Sequence, residues 1–346
     1  MTWDSGTLTA FSRRRPKPTP VFGTYWRFAA ERQRVFHAKA AGAPGPWTTD
    51  TILAAHRFTN AYRASDRVSQ FLINEVIPCS LTDPVDVVFR TLLFKIFNRV
   101  STWTLLEAEV GQLHAHDYEP EVYAAALAGA RRSGAQIYSA AYIMPMPAQA
   151  GAAAKHEAHL LLLASLLAAG TLARIVEARS LRQVYDLLVA VPSFGPFLAF
   201  QYAIDLNYGP ASGHSEMEFV VAGPGARSGI AKCFSDPDGL GDEDIIRYAC
   251  ERAEMELSDR GICFDDLWGR PLQLVDCQNL FCEVDKYARV AHPDIVGSGG
   301  RSRIKQRYTY NPEPLGYGFP EKWEINVPEP MRWGRNSKGR LATAVV

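Results

Sequence analysis

The sequence has no GxxxxGKS or GxxxxGKT phosphate loop, no protein-kinase catalytic-loop signature and no HExxH zinc helix. Any nucleotide it binds is therefore held by another arrangement. Its six cysteines, Cys79, Cys233, Cys250, Cys263, Cys277 and Cys282, contain no CxxC pair and no compact cluster-binding run. That spacing argues against redox chemistry and iron–sulfur ligation, and for small buried apolar thiols in a reducing, cytoplasmic setting. No internal repeat is visible. The longest apolar run, Leu160 to Ala169, is about half of the ~20 residues a bilayer span needs. Arg13, Arg14 and Arg15 are followed by Pro16 and Pro18 rather than by an apolar stretch, so a secretory signal is not expected. Formal net charge is also missing, at +0 over 346 residues.

That neutrality hides a division along the chain. Residues 1–100 carry 14 Lys/Arg against 7 Asp/Glu, residues 235–285 carry 4 against 14, and residues 296–346 carry 9 against 4. Basic segments can track phosphates, and an acidic one can hold a divalent metal or form a solvated helix face. With 47% hydrophobic and 21% charged residues, the chain is globular and long enough for a substantial core. Residues 1–20 read as a loose tail, 21–292 as a helical domain and 293–346 as a basic extension whose end, from Pro328, is loosely held.

Apolar periodicity predicts a mainly α protein, with helices over Tyr25–Ala40, Asp50–Val76, Pro84–Val100, Trp103–Gln112, Glu121–Arg132, His156–Ala178, Leu181–Ala190, Gly195–Leu206, Asp242–Asp259 and Asp276–Ala288. Short strands are expected at Met217–Ala222 and Arg307–Tyr310.

Within the predicted Asp50–Val76 helix, Arg57, Asn60, Arg63, Arg67 and Gln70 recur every three or four residues, a row suited either to anions or to ion pairs with acids such as Asp66 and Glu75. Lys95, Asn98 and Arg99 interrupt an apolar stretch, where a buried charge requires a partner. Gly223, Gly225 and Gly229 with Arg227 and Ser228 could form a loop that turns N–H groups toward phosphate, or plain turn chemistry. Glu216 and Glu218 would share a face of an extended segment, as a base or magnesium pair or as a solvated edge. Asp276, Asn279, Glu283 and Lys286 form a polar helical stripe, either lining a cleft or simply exposed. The pairs His156/His159 and His114/His116 lack the spacing or the companions of a zinc site and read as packing or surface residues.

Val191-Pro192-Ser193-Phe194-Gly195, followed by an apolar helix, resembles the helix-hairpin-helix of DNA glycosylases with Ser193 in place of the first glycine; such a loop binds a backbone phosphate through its N–H groups. A broader likeness runs through TYWRFAAERQRVF, PWTTDTILAAHRFTNAYRASDRVSQFLI, FRTLLFKIFNRVSTW, AYIMP, SFGPFLAFQYAIDL and LQLVDCQNLFCEVDKYAR. Together, over roughly Tyr25 to Pro293, these resemble the glycosylase-related α-glutamyl/putrescinyl-thymine pyrophosphorylase family, which includes 5-hydroxymethyldeoxyuridine DNA kinases. The resemblance implies a helix-hairpin-helix, glycosylase-like helical fold with a few short strands. It also implies phosphorylation of the 5-hydroxymethyl group of 5-hydroxymethyluracil in double-stranded DNA, with ATP or GTP as donor and Mg2+. On that basis Ser193, Gly195, Arg63 and Arg67 are expected to contact DNA. Arg57, Gly223, Gly225 and Arg227 are expected to hold phosphate, and Glu216, Glu218, Asp276, Glu283 and Lys286 to carry the chemistry, with Glu218 and Asp276 as metal ligands. A transferase acting on the activated base, a glycosylase and a non-catalytic DNA-binding module are the alternatives.

Overall fold

The computed structural model describes residues 14–77, 83–140, 144–148, 151–210, 212–311, 315–329 and 331–334. Arg13, Cys79, residues 141–143 of the AYIMP motif and residues 335–346 of the closing tail lie outside them. The protein is mainly α, 54% helical, with two short strands among the described residues. The order is β1 (Lys17–Pro18), α1 (Pro20–Ala40), α2 (Thr51–Ala55), α3 (Arg67–Phe71), α4 (Pro84–Phe97), α5 (Val100–Val110), α6 (Pro120–Arg132) and α7 (Lys155–Ala168). It continues with α8 (Thr171–Val176), α9 (Leu181–Val189), α10 (Pro196–Leu206), α11 (Pro224–Cys233), β2 (Phe234–Asp236), α12 (Asp242–Glu251), α13 (Ala253–Asp259) and α14 (Leu274–Ala291). β1 and β2 pair antiparallel.

Two compact units result, one of Met1–Arg63 with Phe219–Pro314 and one of Ala64–Glu218 with Leu315–Val346. These boundaries cut across the 21–292 and 293–346 division expected from the sequence. In the first unit α14 is the central helix, packed by α1, α2, α11 and α12. Tyr25 of α1 meets Phe281 with ring centroids 4.5 Å apart, and Leu274, Leu280 and Val284 complete the apolar face. α11 crosses α14 so closely that a Cβ on Gly229 would lie 2.0 Å from the Phe281 carbonyl oxygen, and one on Gly225 would press on the Cys282 sulfur. Glycine at 229 is therefore a packing requirement. The second unit is built around α4, buried on nearly every side and contacted by α7, α8 and α10. The charge inside that helix has its partner: Lys95 Nζ lies 2.9 Å from Asp205 Oδ2 on α10 and donates to Asn98 Oδ1 at 2.8 Å.

Several helices begin where local chemistry predicts. Asp50 Oδ1 accepts from the Ile52 and Leu53 N–H groups, and Asp83 caps α4 ahead of Pro84. Other expectations fail. The predicted Asp50–Val76 helix ends at Ala55, His56 turns extended, and the chain resumes helical form only through a 3-10 turn at Arg63–Ser65, α3 and a π-turn at Leu72–Val76. Hydrogen bonds from α14 to the 59–63 backbone replace the helical ones, so tertiary structure overrides a periodic pattern. The row of Arg57, Asn60, Arg63, Arg67 and Gln70 therefore does not exist as one helix face. Gly170, at φ 67°, divides the predicted His156–Ala178 helix, and Asp242–Asp259 divides at Arg252. Met217–Ala222 is not a strand, and Arg307–Tyr310 contributes a single bridge, His56 to Arg307.

The described cysteines are free, and Cys263 is exposed rather than buried. No helix among the described residues is long and apolar enough to cross a membrane.

Candidate functional site

The polar stripe of α14 exists, and its target is the backbone of residues 59–63. Asp276 accepts from the Arg63 N–H at 2.9 Å through Oδ1 and from the Gln273 N–H at 3.0 Å through Oδ2, closing the first turn of its own helix. Asn279 Nδ2 donates to the Asn60 carbonyl and to Thr59 Oγ1. Glu283 Oε2 accepts from the Thr59 N–H at 3.0 Å and pairs with Lys286 Nζ at 2.8 Å, while that ammonium sits 4.6 Å above the Phe58 ring. From α1, Arg32 grips the same stretch through the Thr59 carbonyl and Asn60 Oδ1. Asp276, Glu283, Lys286 and Arg63 are thus brought together as a clamp. Each Asp276 oxygen already accepts one backbone N–H, so a metal bound there would share the carboxylate with those donors.

Glu218, in the second unit, is similarly committed. It accepts from the Leu181 and Arg182 N–H groups at 2.9 and 3.2 Å and holds the start of α9. Glu216 is buried, and because Glu218 N–H turns back to the Ser215 carbonyl the two acids do not form the expected extended pair. α9 and α10 form a tight helical hairpin in which Phe194 N–H bonds the Val191 carbonyl. Ser193, not Gly195, takes the left-handed conformation, at φ 74°. Phe194 is buried on Tyr202 with centroids 4.8 Å apart, leaving Pro192, Ser193, Gly195 and Pro196 exposed at the tip.

The expected glycine loop is the helix α11. Gly223 is its N-cap, Gly225 and Gly229 face α14, and Arg227 turns back to the Ala222 carbonyl and to Asp242 Oδ2 at 3.6 Å. A buried cluster beneath it escaped sequence reasoning. Lys232 Nζ lies 3.0 Å from Asp285 Oδ1, Ser228 Oγ donates to the same oxygen at 2.7 Å, and Arg289 reaches Oδ2 at 2.5 Å. Burial alone would raise the Asp285 pKa; the hydrogen bonds from Arg289, Ser228 and Lys232 outweigh it and hold the carboxyl below its usual range. Only Asp285–Arg289, at i,i+4, leaves a trace in the sequence.

Two further features of the first unit border the C-terminal turns of α1. A shallow hollow of about 450 Å³ is lined by His37, Phe264, Asp265, Asp266 and Trp268. Trp268 and Gly269, at φ 50° and 96°, form the centre of a tight Leu267–Arg270 turn, which Asp266 Oδ1 fastens through the Gly269 N–H at 2.7 Å. His37 Nε2 lies 2.9 Å from the Asp266 carbonyl. Asp265, by contrast, is exposed and makes no hydrogen bond or ion pair with the described residues. The sequence signal was a second acid beside aromatics and a Trp-Gly turn, which periodicity does not register. Beyond it, residues 301–311 run without a turn or bend. Arg301, Arg303, Lys305 and Arg307 recur at every second position, exposed and without an acidic partner among the described residues, while Ile304 turns inward. Exposed Arg57 joins this segment through its N–H to the Gln306 carbonyl at 3.2 Å, and Lys39 of α1 donates to the Asn311 carbonyl.

The first unit is helical and carries a row of exposed basic residues, and comparison with known proteins identifies the family. The family model described as "5-hmdU DNA kinase, helical domain" matches residues 19–297, and the chain belongs to that family. The chain is 25% identical over 291 residues to the 5-hmdU DNA kinase of Bacillus phage SP10, a match covering 77% of this chain and 45% of that protein. The chain thus spans about half the length of the curated relative it matches. No solved structure matches.

Proposed function

We propose that this chain takes part in phosphorylating the 5-hydroxymethyl group of 5-hydroxymethyluracil in DNA, with ATP or GTP as donor and Mg2+ as the charge-neutralising ion. The observation that carries this reading is the family match across residues 19–297, joined by the relative named for that activity. The DNA backbone would follow Arg301, Arg303, Lys305 and Arg307, whose alternate spacing of about 6 to 7 Å suits successive phosphates. Ser193 and Gly195 at the α9–α10 tip would supply a second phosphate contact of the helix-hairpin-helix kind. A base lifted from the duplex would stack in the hollow against Phe264 and Trp268.

Phosphoryl transfer needs a base at the attacking hydroxyl, and Asp265 suits that role better than the carboxylates singled out by sequence. Asp276 and Glu218 each accept two backbone N–H groups, whereas Asp265 accepts none from the described residues. Mg2+ would arrive chiefly on the donor phosphates. Such a protein works where DNA is exposed, in the cytoplasm of a bacterial or phage-infected cell.

A second reading is attachment of an amine or amino acid to an already activated base. One experiment separates these. The protein is incubated with γ-labelled ATP or GTP, Mg2+ and duplex DNA containing 5-hydroxymethyluracil, the DNA is digested, and nucleoside masses are read. Label in a phosphorylated nucleoside is expected. No transfer from either donor overturns the kinase reading, an amine adduct formed on pre-phosphorylated DNA supports the second, and an abasic product indicates a glycosylase.

A further inference from the structure

His114 and His116, which sequence spacing left without companions, have one in the second unit. Asp86, in the first turn of α4, offers a carboxylate oxygen that lies with one nitrogen of each histidine inside 4.8 Å. The 28 residues separating Asp86 from His114 hid it from any local pattern. Asp86 and His114 are buried, and His116 is 69% exposed.

The surroundings of His114 point to a cation. Its Nδ1 lies 3.1 Å from Asp86 Oδ2 and its Nε2 lies 3.2 Å from Gln112 Oε1, so both nitrogens face oxygen acceptors. A neutral imidazole has one N–H to give. If Nε2–H serves Gln112, the Nδ1 lone pair faces a carboxylate, and a proton or a metal cation shared between them satisfies that arrangement. Metal-bound histidines show the same outer contact, the second ring N–H held by an oxygen. The frame is fixed independently of any ion: Asp86 Oδ1 accepts from the Ala115 N–H at 2.6 Å, and Arg90 donates to the Leu113 carbonyl. Among the described residues His116 pairs with exposed Asp117 at 3.0 Å, an interaction worth little in water, and its ring centroid already lies 5.0 Å from that of His114, so the ring is placed to turn inward.

We propose that Asp86, His114 and His116 bind one first-row divalent cation of the zinc class, with two buried ligands, one mobile ligand and a fourth position open to solvent. Two nitrogens and one oxygen suit such an ion, whereas Mg2+ prefers oxygen donors throughout. Ligand atoms around a tetrahedral ion stand roughly 3.3 Å apart, close to the separation of Asp86 Oδ2 and His114 Nδ1. The ion would fasten the 112–116 segment to α4, and this site is independent of the phosphoryl-transfer reading.

The test uses the full chain, stripped with a chelator and desalted, then titrated with Zn2+ in a calorimeter and followed by thermal unfolding. Wild type should bind one Zn2+ per chain with a rise in Tm, and Mg2+ at the same concentration should give neither. His116→Ala should lower Zn2+ affinity by about tenfold or more while leaving the metal-free Tm unchanged, since its side chain is exposed. Gln112→Leu should also weaken binding. Absence of stoichiometric Zn2+ binding, equal affinity in His116→Ala, or an equal response to Mg2+ overturns the proposal.

Discussion

α14 and α4 are the central helices of their units, and both bury polar side chains, but to different ends. On α14, Asp276, Asn279 and Glu283 all converge on one stretch of chain, residues 59–63, mostly through backbone groups. On α4 the polar groups diverge. Asp86 holds residues 114 and 115, Arg90 donates to the Val76 and Leu113 carbonyls, and Lys95 pairs with Asp205. The convergent stripe spreads its load over several hydrogen bonds to one backbone stretch, whereas each polar group of α4 holds a different segment, and Lys95 faces the Asp205 carboxylate in a low-dielectric interior. Loss of one α4 partner should therefore cost more than loss of one α14 partner.

The largest effect is expected for Asp205→Ala, which removes the carboxylate that neutralises the buried Lys95 ammonium and should reduce unfolding free energy by about 3–5 kcal/mol in a urea titration. Asp276→Asn should cost only about 1–2 kcal/mol, through a weakened cap and one lost donor–acceptor match. If the two variants proved equally destabilising, the distinction between the helices would fail.

A pH titration sharpens the contrast. Burial lowers the pKa of His156 and His159 in the second unit, so folding disfavours the charged form of each ring. Their contribution is complete above the unfolded value of 6.5 and is lost as pH falls through the lowered folded values. Tm should decline on acidification from pH 7 toward pH 5, and His159→Gln should flatten that decline. Asp285 in the first unit adds a separate loss below its ordinary value of 3.8, as pH falls through its depressed folded pKa. The smallest effect belongs to Ser193→Gly. Relief of a left-handed serine at φ 74° should stabilise by roughly 0.5–1 kcal/mol, readable as a small rise in the urea midpoint.

These differences also explain what the sequence made legible. The α14 stripe stood out because its residues recur at helical spacing, and so did most helices of the second unit, where Pro, Gly or a capping side chain marks an end. The break at His56 was invisible, because the groups that compete with the helix lie more than 200 residues away on α14. Gly225 and Gly229 were misread for a related reason: a glycine that lets two helices touch looks, in one dimension, like a glycine that turns a loop. The acids fared similarly. Composition flagged the acidic region of residues 235–285, but only three-dimensional placement separates carboxylates that accept backbone N–H groups from Asp265, which accepts none from the described residues.

That separation is the centre of the account, and parallel measurements on Asp265→Asn and Asp276→Asn test it most directly. Each variant is assayed for labelled phosphate transfer to 5-hydroxymethyluracil DNA and for unfolding free energy. Asp265→Asn should lose about a hundredfold or more in transfer, with stability within roughly 0.5 kcal/mol of wild type. Asp276→Asn should lose stability while its folded fraction keeps its rate. An Asp265→Asn protein that transfers phosphate at the wild-type rate, or a fully folded Asp276→Asn protein that transfers none, would contradict it.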